Sequence, residues 1–151
     1  MYESYMTVVG QIITNPVKRI TTTGAEVYSF RVASNARRFD RETGEWVDNG
    51  TLYASVNCWN KLVGNVASSL MRGDPVIVHG VAKTNEYVTK EGVSRADLDI
   101  RAIAVGPDLS RCSVMMQRVK PAPVEPAAEQ DTSEHFESES EESDERESVG
   151  V

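Results

Sequence analysis

Between Thr51 and Gly73 the hydrophobic period of the chain changes from two to about three and a half, the signature of a strand running directly into a short amphipathic helix. Successive strand side chains point to opposite faces. Leu52, Ala54, Val56 and Cys58 therefore form an apolar core face, and Tyr53, Ser55, Asn57 and Trp59 fall on the other side. Two large rings with small polar groups between them are poorly suited to bare water and well suited to a flat ligand. Beyond Trp59, Asn60 is placed to cap a helix, and Leu62, Val63, Val66, Ala67, Leu70 and Met71 share one helical face. Gly73 stands where a left-handed residue would end the helix after about three turns.

The flanking segments read as strands. In Tyr5 to Ile13, Met6, Val8, Gly10 and Ile12 alternate with Thr7, Val9 and Gln11, and Gly10 permits a bend or the close approach of another backbone. Asn15-Pro16 stops this strand, and Thr23-Gly24 marks a hairpin turn. Glu26 to Ser34 follows, with Tyr28, Phe30 and Val32 expected inward and Val27, Ser29, Arg31 and Ala33 outward. Asn35 to Gly50 reads as a long charged loop with four acids, three arginines, Phe39 and Trp46. It is either a solvated hairpin extension pinned by Phe39 and Trp46 or an arm presenting an aromatic among Arg37, Arg38 and Arg41, and both readings can hold. Asn49-Gly50-Thr51 matches a glycosylation sequon but reads as a tight turn before a strand.

A fourth strand is expected over Asp74 to Ala82 and a fifth over Ser94 to Val105, the latter with Ala96, Leu98, Ile100 and Ala102 inward. Between them Tyr87 rides a second protruding hairpin flanked by Lys83 and Lys90, with Glu91-Gly92 as its turn. Five strands with one helix between the third and fourth is the order of an OB-fold, a small all-β Greek-key barrel that commonly binds oligonucleotides on one face.

A net charge of −7 over 151 residues would disfavour a nucleic-acid partner if it were evenly spread. It is not: residues 1–120 hold 15 Lys and Arg against 12 acids, whereas residues 121–151 hold one Arg against 11 acids. A mildly basic body thus carries an acidic tail. The tail opens with Pro121, Pro123 and Pro126, and with too little apolar area to offset its ordering entropy it is expected to be disordered. The expected organisation is a binding domain over 1–110, a short apolar stretch over 111–120 and the tail over 121–151. Two cysteines without metal-ligand spacing, no long apolar run and no signal-peptide pattern suggest a cytoplasmic protein with free thiols and no membrane contact.

The segments TVVGQIITNP, VYSFRVASN, RRFDRETGEW and SLMRGDPVIVHG closely resemble the bacterial single-stranded DNA-binding proteins, particularly their actinobacterial branch, over Tyr5 to Leu109. The resemblance implies that Phe39, Tyr53, Trp59 and Tyr87 stack on DNA. These rings already lie outside the expected core, and Arg31, Arg37, Arg38, Lys61 and Lys83 are the interleaved cations expected on phosphates. It also implies a homotetramer, nucleoid association, and a strand at Arg111 to Val119 that clamps subunits. One departure stands out. The family's acidic tail usually closes with a short hydrophobic tip that docks replication and repair enzymes, whereas this chain has Glu147-Ser148-Val149-Gly150-Val151, and Phe136 lies well upstream. Partner docking by the usual tip is not implied, and a secondary paralogue with a specialised role fits this pattern.

Asp97 and Asp99 share a strand face and could in principle hold Mg²⁺, but Arg95 and Arg101 on the same face make a neutralised charge ladder the simpler reading. His79 and His135 are far apart in sequence and no glycine-rich phosphate loop occurs, so no cofactor, metal or catalytic activity is expected. The expected function is sequence-tolerant binding of single-stranded DNA in replication, repair or recombination. An RNA-binding OB-fold, or an interaction protein acting through its acidic tail, are the alternatives.

Overall fold

In the computed structural model, residues 1–120 are described, and the acidic tail expected over 121–151 lies outside them. The chain runs β1 (Ser4–Ile12), β2 (Val17–Ile20), β3 (Glu26–Asp40), β4 (Glu45–Trp59), α1 (Lys61–Ser69), β5 (Pro75–Val88) and β6 (Ser94–Pro107). The sheet order is β1-β5-β6-β4-β3-β2, and a further pairing of β1 with β3 closes it into a barrel. Only β4 and β6 run parallel, with Ala54 opposite Leu98 and Asn57 opposite Arg101. This is the expected OB-fold, with α1 after the third long strand. Val17–Ile20 adds a sixth, short strand that sequence alternation did not reveal, because all four of its residues are exposed and none marks a core face.

The core is built from the alternation. Val8, Ile12, Phe30, Val32, Ala54, Val56, Cys58, Val76, Val78 and Ile100 pack together, with Val66 and Leu70 of the helix segment plugging one end of the barrel. Gly10 is required where β1 passes from β5 to β3, and Gly80 at the bulge in the β5–β6 ladder. A Cβ on Gly10 would collide with the Ala33 carbonyl, and one on Gly80 with the Arg101 carbonyl. The crossing of β1 also corrects one expected orientation: Ala33, read as outward, is buried beneath it beside Gln11. Val27, also read as outward, is buried at the end of β3 against which α1 packs.

The helix departs from expectation at both ends. Asn60 occupies the cap position with φ 54° but makes no side-chain capping bond; its carbonyl accepts from the Val63 N–H at 3.2 Å. The helix stops at Ser69, and Ala67 and Met71, placed on the core face by periodicity, are exposed. Gly73 has the anticipated positive φ of 98° but does not cap the helix. Its N–H donates to the Ile12 carbonyl at 2.8 Å, tying the helix exit to β1. Leu52 and Ala96, expected inward, are exposed because they lie where β4 and β6 leave the barrel.

The largest correction concerns Asn35 to Gly50. Instead of a loop, β3 and β4 continue as a paired ribbon to Asp40 and Glu45, with Phe39 opposite Trp46. The register shifts between Asn35 and Arg37, where two residues of β4, Asn49 and Gly50, face one of β3. Gly50 has φ 94°, so the sequon-like triplet holds a β-bulge rather than a turn. β5 and β6 likewise extend beyond the barrel as a second ribbon, turning at Gly92, whose N–H donates to the Thr89 carbonyl at 2.9 Å.

Candidate nucleic-acid interface

Directly paired residues share a face, so register carries the outward face of β4 across the sheet. Ser29 lies opposite Asn57 and Arg31 opposite Ser55 on β3, while Asp99 and Arg101 of β6 lie beside the same two β4 residues. One strand further, Lys83 faces Asp99, Asn85 faces Asp97, and Tyr87 faces Arg95. The result is a polar band flanked by rings. A shallow concavity of about 570 Å³ opens over it, floored by Ser29, Arg31, Ser55 and Asn57, with Arg19 on one side and Asn85 and Asp99 on the other.

The floor is held by its own hydrogen bonds. Ser29 Oγ donates to Asn57 Oδ1 at 2.7 Å, which leaves the Asn57 amide N–H groups directed elsewhere. Arg31 Nη1 donates to Ser55 Oγ at 3.3 Å and lies 3.6 Å from Asp97 Oδ2, and the Arg31 backbone N–H donates to Thr14 Oγ1 at 2.9 Å. Arg31 is thus half-buried and already engaged by Ser55 and Asp97. Beneath the band, Cys58 is wholly buried and desolvation pushes its thiol up to about 11, so it is a neutral core side chain at ordinary pH.

The rings stand out from this band. Phe39 is 50% exposed, Tyr53 51%, Tyr87 40% and Trp46 63%, while Trp59 is half-buried at the end of β4. Tyr53 and Trp46 are seven residues apart, an odd interval that would put them on opposite faces of a regular strand. The bulge at Gly50 restores a common face by register. Phe39 and Trp46 meet edge to face at 5.6 Å and 64°, so the pinned ribbon and the presented aromatic are one structure.

The cations divide. Lys83 is exposed on the band, and Lys61 is exposed at the first turn of α1, next in the chain to Trp59 and Asn60. Arg37 shares the face of Phe39 by alternation but pairs with Asp48 at 3.5 Å, and Arg38 falls on the opposite face beside Val47. Sequence reading left out Ser29, Asn57, Asn85 and Arg19 as site residues. The first two were visible as the polar members of the alternating strands; Arg19 was hidden because β2 was.

The Single-strand binding protein family model matches residues 4–107. A single-stranded DNA-binding protein of Corynebacterium glutamicum is 41% identical over 116 residues, covering 77% of this chain and 52% of that one. Single-stranded DNA-binding protein 2 of Streptomyces coelicolor is 43% identical over 107 residues, covering 71% of this chain and 54% of that one. The chain thus spans about half the length of these two relatives. Among solved structures, the small single-stranded DNA-binding protein of Streptomyces coelicolor superposes with a TM-score of 0.67 at 39% identity, covering 74% of this chain and all of that one. The second single-stranded DNA-binding protein of Mycobacterium smegmatis gives 0.58 at 41% identity, covering 78% of this chain and all of that one. With the aromatic-flanked polar face of an OB barrel on residues within the matched range, this chain belongs to the single-strand binding protein family.

Proposed function

We propose that this protein binds single-stranded DNA with broad sequence tolerance, protecting it during replication, repair or recombination in the nucleoid. The observation that carries the reading is the face on which Tyr53, Trp59 and Tyr87 surround the polar band, extended by Phe39 and Trp46 on the β3–β4 ribbon. Exposed rings stack on unpaired bases for about 1–3 kcal/mol each, while duplex DNA keeps its bases out of reach. The phosphates fall to Lys61 and, once Asp48 releases it, Arg37.

Assembly as a homotetramer fits the remaining surface. On β1 and β5, Val9 and Ile77 are exposed beside Tyr5, whose ring stacks on His79 at 6.0 Å and 13°. Arg111 to Val119 has no strand partner among the described residues and exposes Val114, Met115, Met116 and Val119, apolar groups suited to pairing with a neighbouring subunit. The acidic residues 121–151 then offer a contact to replication or repair partners.

Tryptophan fluorescence tests the binding. Oligo-dT is expected to quench the tryptophans strongly and saturably, with little quenching by duplex DNA of equal length. Equal quenching by duplex overturns the reading, and stronger binding of oligo-U than oligo-dT moves it to RNA.

A further inference from the structure

We infer that Asp99 and Lys83 form a pair that reads the Watson–Crick edge of guanine, giving this otherwise tolerant face a base preference. The inference rests on the proposed binding face and asks what its one unengaged carboxylate does there. Asp97 is held by Arg31, but among the described residues no ion pair reaches Asp99 or Lys83. The two stand directly cross-strand, Lys83 exposed and Asp99 half-buried on the margin of the concavity.

A carboxylate repels a phosphate and has only acceptors to offer, so a base edge with donors suits Asp99 better than the nucleic-acid backbone does. Bases differ in what they offer an acceptor-only group. Guanine presents two adjacent donors, N1–H and the 2-amino group, with the O6 acceptor beside them. Cytosine and adenine present one amino group next to a ring-nitrogen acceptor that a carboxylate repels, and thymine presents one N–H between two carbonyl oxygens. A carboxylate with an ammonium beside it is complementary to guanine alone: Asp99 accepts from N1–H and the 2-amino group, and Lys83 donates to O6. The stacking platform is in reach. Tyr53 lies two residues from Ser55, the β4 partner of Asp99, or about 7 Å along the strand, roughly the length of a purine.

The test compares three oligonucleotides of equal length by fluorescence anisotropy: oligo-dT, oligo-dT with isolated guanines, and the same sequence with inosine, which lacks only the 2-amino group. Single guanines spaced by several thymines avoid quadruplexes. The wild-type protein is expected to bind the guanine oligonucleotide about three- to fivefold more tightly than the inosine one. In Asp99→Asn that ratio should fall toward one. Equal wild-type affinity for guanine and inosine overturns the inference even if the variant fails to fold, as does an undiminished ratio in Asp99→Asn. Oligo-dT binding that is indifferent to Tyr53→Ala would instead overturn the proposed face itself, and this inference with it.

Discussion

Removing the Tyr53 and Trp59 rings of β4, singly and together, isolates the stacking that these two contribute to binding. Tyr53 and Trp59 share the outward face and are six residues apart, about 20 Å along an extended strand, so they cannot stack on the same base. At that separation their contributions should add. Each single substitution to Ala is expected to cost about 1–3 kcal/mol of binding, and the double variant about 2–6 kcal/mol, a loss of about 30-fold or more in affinity. The folding cost is unequal. Tyr53 is half exposed and its loss should be nearly neutral, whereas Trp59 is half-buried opposite the buried Val27, so Trp59→Ala should lose about 1–2 kcal/mol of stability. Oligo-dT anisotropy titrations with urea unfolding of the same four proteins give both quantities. A double variant no weaker than the worse single one would refute independent stacking along β4, and loss of sheet circular dichroism in Trp59→Ala would refute the outward assignment.

Gly80→Ala should destabilise by about 3 kcal/mol or more, because the added methyl meets the Arg101 backbone at the β5–β6 bulge, and an unchanged urea midpoint would contradict that close approach. Burial raises Cys58 to about 11, so above about pH 9 the unfolded chain loses a proton that the folded chain keeps. This contribution is intact below that pH and fades as pH rises through 11, so stability should fall more in wild type than in Cys58→Ala, by about 2–3 kcal/mol in urea melts. Deleting Pro121 to Val151 removes 11 acids and one Arg that compete with DNA for the body's cations, so oligo-dT binding should tighten at low salt and converge on the full chain at high salt. A deletion without low-salt effect would leave the tail no electrostatic role.

The barrel was legible where one face of a strand was dry and the other wet. Ala54, Val56 and Cys58 against Tyr53, Ser55 and Asn57 gave strand, core and binding face together, and Gly10 marked a real crossing. Illegible were features set by distant parts of the chain. Val27 and Ala33 sit at outward positions of β3 yet are buried, Ala33 where β1 pairs with it at Gln11 and Val27 at the end of the strand opposite Trp59. The β3–β4 ribbon read as a loop because neither face is buried, so no alternation announces it, and Gly50 looked like a turn although it bulges a continuous strand. For the same reason the four aromatics were identifiable one by one, but not the common face of Trp46 and Tyr53. Arg37 and Arg38 looked equivalent in sequence; Asp48 and the two-residue period set them apart.

Photo-crosslinking tests the central claim, that bases lie on these rings, most directly. An oligo-dT carrying 5-iodouracil, irradiated in complex and mapped by peptide mass spectrometry, should label Tyr53, Trp59, Tyr87 and the Phe39–Trp46 pair. Labelling confined to Tyr2 or Tyr5, which precede or lie on β1 and are not among the proposed stacking rings of β3, β4 and β5, would contradict it.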